Sequence, residues 1–125
     1  MRLLLDTHIY LWVVTNHPRL TPALKRSITE AREVYVSSAS VWELSIKIGL
    51  GKLEADIQRL VEMIEPSGFM TLPVWSEPAA LVATLPMIHR DPFDRLLIAQ
   101  ALHKDLTLVT ADTWITQYQV KTLTP

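Results

Sequence analysis

The chain contains no cysteine among its 125 residues. Disulfides, thiolate zinc sites, iron–sulfur clusters and cysteine nucleophiles are therefore excluded. No apolar run reaches the ~18 residues of a membrane-spanning helix. Asp6 and His8 interrupt the apolar N-terminus, so we expect this segment to belong to the folded protein rather than to a signal peptide. The expected location is the cytoplasm.

A strong charge of either sign is also missing, because 12 lysines and arginines are balanced by 13 aspartates and glutamates. No global basic field indicates a nucleic-acid binder, so any site for an anion must be local. The length suits one domain with one core. Because we find no repeat, low-complexity segment or linker, we expect a single domain over residues 1–125.

Short apolar runs rich in leucine or β-branched residues predict five strands, at residues 2–5, 34–37, 69–74, 106–110 and 119–123. Segments with an apolar residue every three or four positions lie between these runs, as in helices that cover a sheet. This alternation predicts an α/β sandwich around a parallel sheet. Functional residues are expected at the carboxyl ends of the strands, which share one edge of such a sheet.

Four acidic residues occupy matching places in the predicted strand–helix units. Asp6 ends the first strand, Glu43 lies in the first turn of a helix, Asp94 opens another helix and Asp112 follows the strand "LTLVT". If these carboxylates meet, they cannot all stay ionised without a cation, because like charges raise one another's pKa. Oxygen ligands suit Mg²⁺ and Mn²⁺. Such an ion would support hydrolysis of a phosphodiester.

Glu43 has two structural alternatives. With Ser40 it matches a capping box at the start of a helix, in which each side chain satisfies an amide of the first turn. With Lys47, four residues further on, it matches an ion pair on a helix surface. Taken alone, Glu43 is better explained by the capping box than by catalysis.

The other acids also have structural interpretations. Asp94 could complement a helix dipole, and Asp112 could cap a short helix. Asp91 precedes Pro92, a pattern typical of an N-cap followed by proline at the first helical position, and we interpret Asp91 in that way. These alternatives leave the strand-end Asp6 unexplained, so a shared site is the favoured hypothesis.

The segments "LLLDTH", "VSSASVWELSIKIGLGKL", "HRDPFDRLLIAQA" and "LVTAD", in this order and spacing, resemble the PIN-domain ribonucleases, specifically the VapC-like toxins of bacterial type II toxin–antitoxin modules. The resemblance runs from residue 3 to about residue 118. It implies a three-layer α/β/α sandwich with a central, mostly parallel five-stranded sheet. It also implies a Mg²⁺- or Mn²⁺-dependent endoribonuclease that leaves a 5′-phosphate and a 3′-hydroxyl, a cognate antitoxin that fills the active-site groove, and a homodimer.

The family's catalytic acids fall on residues of this chain in order. The resemblance implies that Asp6 and Asp94 are the principal metal ligands, with Glu43 and Asp112 in supporting or water-mediated roles. Thr110 matches a hydroxyl that the family often has beside the fourth acid, where it would support a ligand or contact phosphate. The chain differs from the family in its long approach to the third acid, "HRDPFDR".

Among the remaining candidates, Arg95 is the basic residue that we expect to contact phosphate or support the site. His8 and His89 are expected to have no role, because hard ions prefer oxygen ligands. Thr7, rather than Asp6, is predicted to cap the first helix.

Two rival functions remain. One is a non-catalytic PIN-like module that binds RNA or a partner. Against it, a carboxylate cluster without a metal ion would destabilise the protein by repulsion between like charges and serve no function. The other is an aspartate-based phosphotransfer domain. A phosphatase of the haloacid-dehalogenase class would need an acid where His8 stands, and the acids and lysine of a receiver domain are not evident.

Overall fold

The computed structural model describes all 125 residues. Its strands are β1 (Arg2–Leu5), β2 (Glu33–Ser37), β3 (Met70–Leu72), β4 (Thr107–Val109) and β5 (Thr122–Leu123). Its helices are α1 (Thr7–Thr15), α2 (Pro22–Glu30), α3 (Ser38–Gly49), α4 (Ile57–Glu62), α5 (Ser76–Leu81) and α6 (Pro92–Lys104). None of the helices is long and apolar enough to span a membrane.

The five strands form one sheet in the order β3-β2-β1-β4-β5. All of its strand pairs are parallel. Each observed strand lies within or within one residue of a predicted one, although β3, β4 and β5 are shorter than the apolar runs that contain them. The predicted α/β fold with a parallel five-stranded sheet is therefore confirmed.

Both faces of the sheet are covered, because successive side chains of β1 point into different cores. Leu3 and Leu5 belong to a buried cluster that includes residues of α1, α2, α3 and α4. Leu4 belongs to a second cluster, to which α6 contributes Leu97 and Ile98. A strand with helices on both sides is apolar throughout, which explains the unbroken leucine run and the three-layer sandwich.

The central position of β1 brings Asp6 to the middle of the carboxyl edge. Leu5 is in register with Val36 of β2 on one side and with Val109 of β4 on the other. The backbone amide of Asp6 donates to the carbonyl of Val109 at 3.0 Å, so the pairing extends one residue past the strand.

The chain enters α1 with Asp6 as the N-cap, and the carboxylate accepts a hydrogen bond from the amide of Ile9. The prediction that Thr7 is the cap is therefore wrong. Thr7 already has helical geometry as the first residue of α1, and its hydroxyl points across to α3. The cap predicted for α6 is correct, because Asp91 accepts from amides of the first turn. Thr21 caps α2 in the same way.

Helix α3 begins earlier than the sequence suggested. Ser37 ends β2 and is also the N-cap of α3, with its hydroxyl accepting from the amide of Ala39 at 3.0 Å. The helix thus starts at Ser38, and the capping box predicted for Ser40 and Glu43 does not form. Because strand and helix join without a loop, Glu43 lies in the second turn.

Candidate active site

Asp6 is almost fully enclosed at the centre of the carboxyl edge, with 4% of its surface exposed. One carboxylate oxygen, Oδ1, accepts from the amide of Ile9 at 2.8 Å. Burial raises the pKa of Asp6, while hydrogen bonds from the Thr110 hydroxyl and the Ile9 amide and the charge of His8 lower it. Burial is the largest of these effects, so the site holds an acid that resists ionisation in the absence of a cation.

Glu43 reaches the same edge from α3 and is 6% exposed. Its Oε1 accepts from the Thr7 hydroxyl at 2.7 Å, and that hydroxyl lies 2.9 Å from the hydroxyl of Ser40. Its Oε2 lies 3.1 Å from the ammonium of Lys47, which confirms the ion pair that the spacing predicted. The Thr7 hydroxyl orients the Glu43 carboxylate toward the start of α1, and Lys47 balances its charge.

Asp94 and Asp112 meet through a histidine. Nε2 of His89 lies 2.8 Å from Oδ2 of Asp94 and 3.1 Å from Oδ2 of Asp112. One ligand atom from each of these three residues lies within 4.8 Å of the others, and all three residues are half-buried. This separation is small enough for one metal ion to contact all three.

Burial and the negative charges of Asp91, Asp6 and Glu43 together raise the pKa of Asp94 to about 7, against the opposing charge of His89. The carboxylate of Asp94 is therefore within electrostatic reach of two of the other three acids. A divalent cation would relieve this repulsion. The oxygen-rich donor set and its electrostatics fit a bound Mg²⁺ or Mn²⁺.

Asp112 has a structural role and also faces the site, through different oxygens. Its Oδ1 accepts from the amide of Trp114 at 2.8 Å and so starts the turn that follows. Its Oδ2 faces His89. The buried Thr110 hydroxyl accepts from the amide of Asp112 at 3.0 Å and also lowers the pKa of the neighbouring Asp6 carboxyl. Thr110 therefore lies between Asp6 and Asp112 and interacts with both.

The Asp91 carboxylate caps helix α6. Its Oδ1 accepts from the amides of Phe93 and Asp94, at 2.8 and 3.0 Å. Both bonds are those of an N-cap at the start of α6. Asp94, one turn into the helix, is the residue whose carboxylate faces His89.

Arg95 directs its guanidinium into the protein. The residue is 7% exposed, and its guanidinium donates to the carbonyls of Pro86 and Val82, at 2.9 and 3.1 Å. It also donates to the hydroxyl of Tyr118 at 3.2 Å. Each of these hydrogen bonds is directed into the protein, which favours the supporting role expected for Arg95 over the phosphate contact. Arg95 holds the segment that leads to His89.

His89 is the site residue that sequence reasoning missed. Its only sequence signal is its place five residues before Asp94, in the connection "LPMIHRD". A loop has no periodicity from which the direction of a side chain can be read, so its contact with two acids appears only in the structure. His8, by contrast, lies exposed on α1.

The model of the PIN domain family matches residues 3–121, nearly the whole chain. The chain belongs to the PIN-domain family. Among curated proteins, this PIN domain is 31% identical over 115 residues to ribonuclease VapC22 of Mycobacterium tuberculosis, an alignment that covers 87% of this chain and 85% of the relative.

Solved structures support the same fold for this PIN domain. A chain in the crystal structure of VapBC2 from Rickettsia felis, bound to a promoter DNA fragment, superposes with a TM-score of 0.76 at 16% identity, covering 100% of this chain and 99% of that one. A chain in the FitAcB structure from Neisseria gonorrhoeae gives 0.66 at 23% identity, covering 97% and 96%. At these identities the superpositions establish the architecture alone.

The raised pKa of Asp94 predicts how the stability of the metal-free PIN domain depends on pH. The folded state holds this proton up to about pH 7, whereas the unfolded state releases it near 3.8. Folded protein thus binds more protons in this window, so the free energy of unfolding falls as pH rises through it. Asp94→Asn cannot ionise, so its stability relative to wild type should grow over this window by about 1–3 kcal/mol.

Urea denaturation in the presence of chelator measures this difference. The control is Asp105→Asn, because a hydrogen bond from Lys121 lowers the pKa of Asp105. The stabilisation from Asp105 is present above its unfolded pKa and is lost as pH falls, so this variant should show a small effect of opposite sign. A difference between Asp94→Asn and wild type that is independent of pH would contradict the prediction.

Proposed function

We propose that this PIN-domain protein is a metal-dependent endoribonuclease that acts as the toxin of a type II toxin–antitoxin pair. The observation that carries the proposal is the convergence of Asp6, Glu43, Asp94 and Asp112 at one edge of the sheet, with Asp94 strained by neighbouring negative charge. The ribonuclease activity named for the 31%-identical relative gives the substrate class. RNA is the substrate and the cytoplasm the expected place of action.

Asp6 and Asp94 would hold the ion, Mg²⁺ or Mn²⁺, with Glu43 and Asp112 in support. When bound, such an ion activates water and stabilises negative charge on a phosphoryl oxygen. The Thr110 hydroxyl favours the charged form of Asp6, and the Thr7 hydroxyl orients the carboxylate of Glu43. The helix cap at Asp6 fixes one of its oxygens to the Ile9 amide, so the first acid keeps its place whether or not the ion is bound.

The rival functions account for the site less well. A non-catalytic module would gain nothing from a buried Asp6 and an Asp94 whose charges oppose one another, and such a cluster lowers stability unless a cation binds. An aspartate-based phosphotransfer domain is excluded by membership of the PIN-domain family.

Purified protein, freed of any bound antitoxin, should cleave RNA when Mg²⁺ or Mn²⁺ is present and stop when a chelator is added. The products should carry 5′-phosphate and 3′-hydroxyl ends, as the resemblance to PIN-domain ribonucleases implies. A small phosphomonoester is the matched control and should not be hydrolysed. Cleavage that persists in chelator, or the absence of RNA cleavage with either ion, would contradict the proposed function.

An antitoxin and a second copy of the chain are the proposed partners. Solved chains with this fold occur in the VapBC and FitAB complexes, which supports the search for an antitoxin. Sedimentation of the purified protein measures whether it forms the homodimer.

A further inference from the structure

His89 occupies a place in the site that the four acids do not explain. Its Nε2 is directed between Asp94 and Asp112. The two acids belong to different elements, because Asp94 lies on α6 and Asp112 in the turn after β4. A hydrogen bond to one carboxylate would not require a contact with both. The imidazole therefore joins the two sides of the acidic cluster.

Buried contacts hold the backbone of His89 in this position. Its amide donates to the hydroxyl of Tyr118 at 2.7 Å, and the same hydroxyl accepts from Arg95 at 3.2 Å. Arg95 also donates to the carbonyl of Pro86, three residues before His89, and it makes no ion pair. Burying an arginine without a carboxylate partner costs free energy. The hydrogen bonds of Arg95 offset part of this cost and hold the segment that carries His89.

The spacing of the donor atoms suits adjacent ligands of one ion. Around an octahedral ion with bonds of about 2.1 Å, neighbouring ligand atoms are separated by about 3.0 Å. The distances from Nε2 of His89 to the two carboxylate oxygens are 2.8 and 3.1 Å. Two of the three separations thus already match adjacent ligands, and one ligand atom from each residue lies within 4.8 Å of the others.

We propose that His89 is a direct nitrogen ligand of the catalytic metal that Asp6 and Asp94 hold, with Asp112 as the supporting ligand on its other side. This inference rests on the proposed function, because it concerns the same ion. Imidazole binds divalent transition ions well, whereas carboxylate and water suit Mg²⁺. A site with one imidazole therefore favours Mn²⁺ over Mg²⁺ more strongly than a site with oxygen ligands alone.

Pulsed electron paramagnetic resonance of the Mn²⁺-loaded protein tests the ligand directly, without any activity assay. Wild type should show hyperfine coupling from one imidazole nitrogen. His89→Gln should lose this coupling, keep the ion on its carboxylates, and bind Mn²⁺ about tenfold or more weakly, with a smaller change for Mg²⁺. His8→Gln is the matched control, because His8 is an exposed histidine two residues after Asp6, and this variant should keep the nitrogen coupling.

The possible outcomes separate this inference from the proposed function. Bound Mn²⁺ without nitrogen coupling in wild type would overturn the ligand role of His89 and leave the nuclease proposal intact, with His89 only hydrogen-bonded to the carboxylates. Failure of wild type to bind Mn²⁺ would overturn the ligand role of His89, and it would overturn the nuclease proposal as well only if the protein also failed to cleave RNA with Mg²⁺. If His89→Gln does not fold, wild type labelled with heavy-nitrogen histidine gives the same answer, because the coupling must change with the isotope if a histidine is bound.

Discussion

Asp94→Asn is expected to reduce metal-dependent RNA cleavage by a factor on the order of a hundred to a thousand. Asparagine keeps the size of the side chain and still offers one oxygen, but it carries no negative charge with which to hold a divalent ion. The carboxylate of Asp94 is one of the two closest to His89 and is surrounded by the charges of Asp91, Asp6 and Glu43. Its loss should therefore reduce metal affinity as well as the maximal rate.

The matched control is Asp91→Asn. Asp91 lies three residues earlier, but its carboxylate accepts from two amides of the first turn of α6, and asparagine caps helices about as well as aspartate. We expect Asp91→Asn to fold and to cleave RNA within a few-fold of wild type. Equal losses in both variants would mean that Asp91 also binds the ion, and a wild-type rate in Asp94→Asn would contradict the assignment of Asp94.

Asp6→Asn extends the same test to the central strand. Asparagine at this position can still accept from the amide of Ile9, so α1 should form normally. The loss of charge should nevertheless reduce cleavage by a factor comparable to that for Asp94→Asn. Circular dichroism of the variant checks that the fold is retained, and normal cleavage by a folded Asp6→Asn would count against a catalytic Asp6.

Arg95→Met is expected to lower the free energy of unfolding by about 2–4 kcal/mol. Methionine fills part of the volume but donates no hydrogen bond, so the carbonyls of Pro86 and Val82 and the hydroxyl of Tyr118 lose their charged partner. Because the same contacts position His89, the variant should also lose Mn²⁺ affinity. Urea denaturation and Mn²⁺ titration of the same preparation measure both effects.

Arg90→Met is the control for charge, since Arg90 is an exposed arginine in the same segment. Its removal should change stability by less than about 0.5 kcal/mol. If Arg95→Met instead kept its stability and only weakened RNA binding, Arg95 would not stabilise the fold through its buried hydrogen bonds. The phosphate contact predicted from the sequence would then be right. Arg95→Lys separates the effect of the guanidinium's shape from that of its charge. Lysine keeps the positive charge but cannot donate hydrogen bonds in all of these directions at once.

The contrast between Asp94 and Arg95 shows how far sequence reasoning reaches in this site. Asp94 was identified from its place before an apolar helix run, and its side chain does meet Asp112 through His89. Arg95 is the next residue on the same helix, yet it turns into the protein. Helical spacing gives the direction of a side chain relative to its own helix, but whether that direction leads to substrate or to another segment depends on what packs there.

The amino-acid sequence by itself determined the strands, the parallel sheet and the acids at its edge. Buried parallel strands need unbroken apolar runs, and such a run places whatever follows it at the carboxyl edge, so "LLLD" specifies both the central strand and Asp6. The local pattern of Asp91 followed by Pro92 likewise specified the cap of α6.

Only the tertiary structure decided which residues contact the acids from elsewhere in the chain. The Thr7 hydroxyl meets Glu43, 36 residues later, and Tyr118 holds the backbone of His89 from 29 residues away. Contacts of this kind depend on how helices and loops pack across the sheet. Sequence periodicity describes one element at a time, so it carries no signal for a loop histidine that two distant acids share.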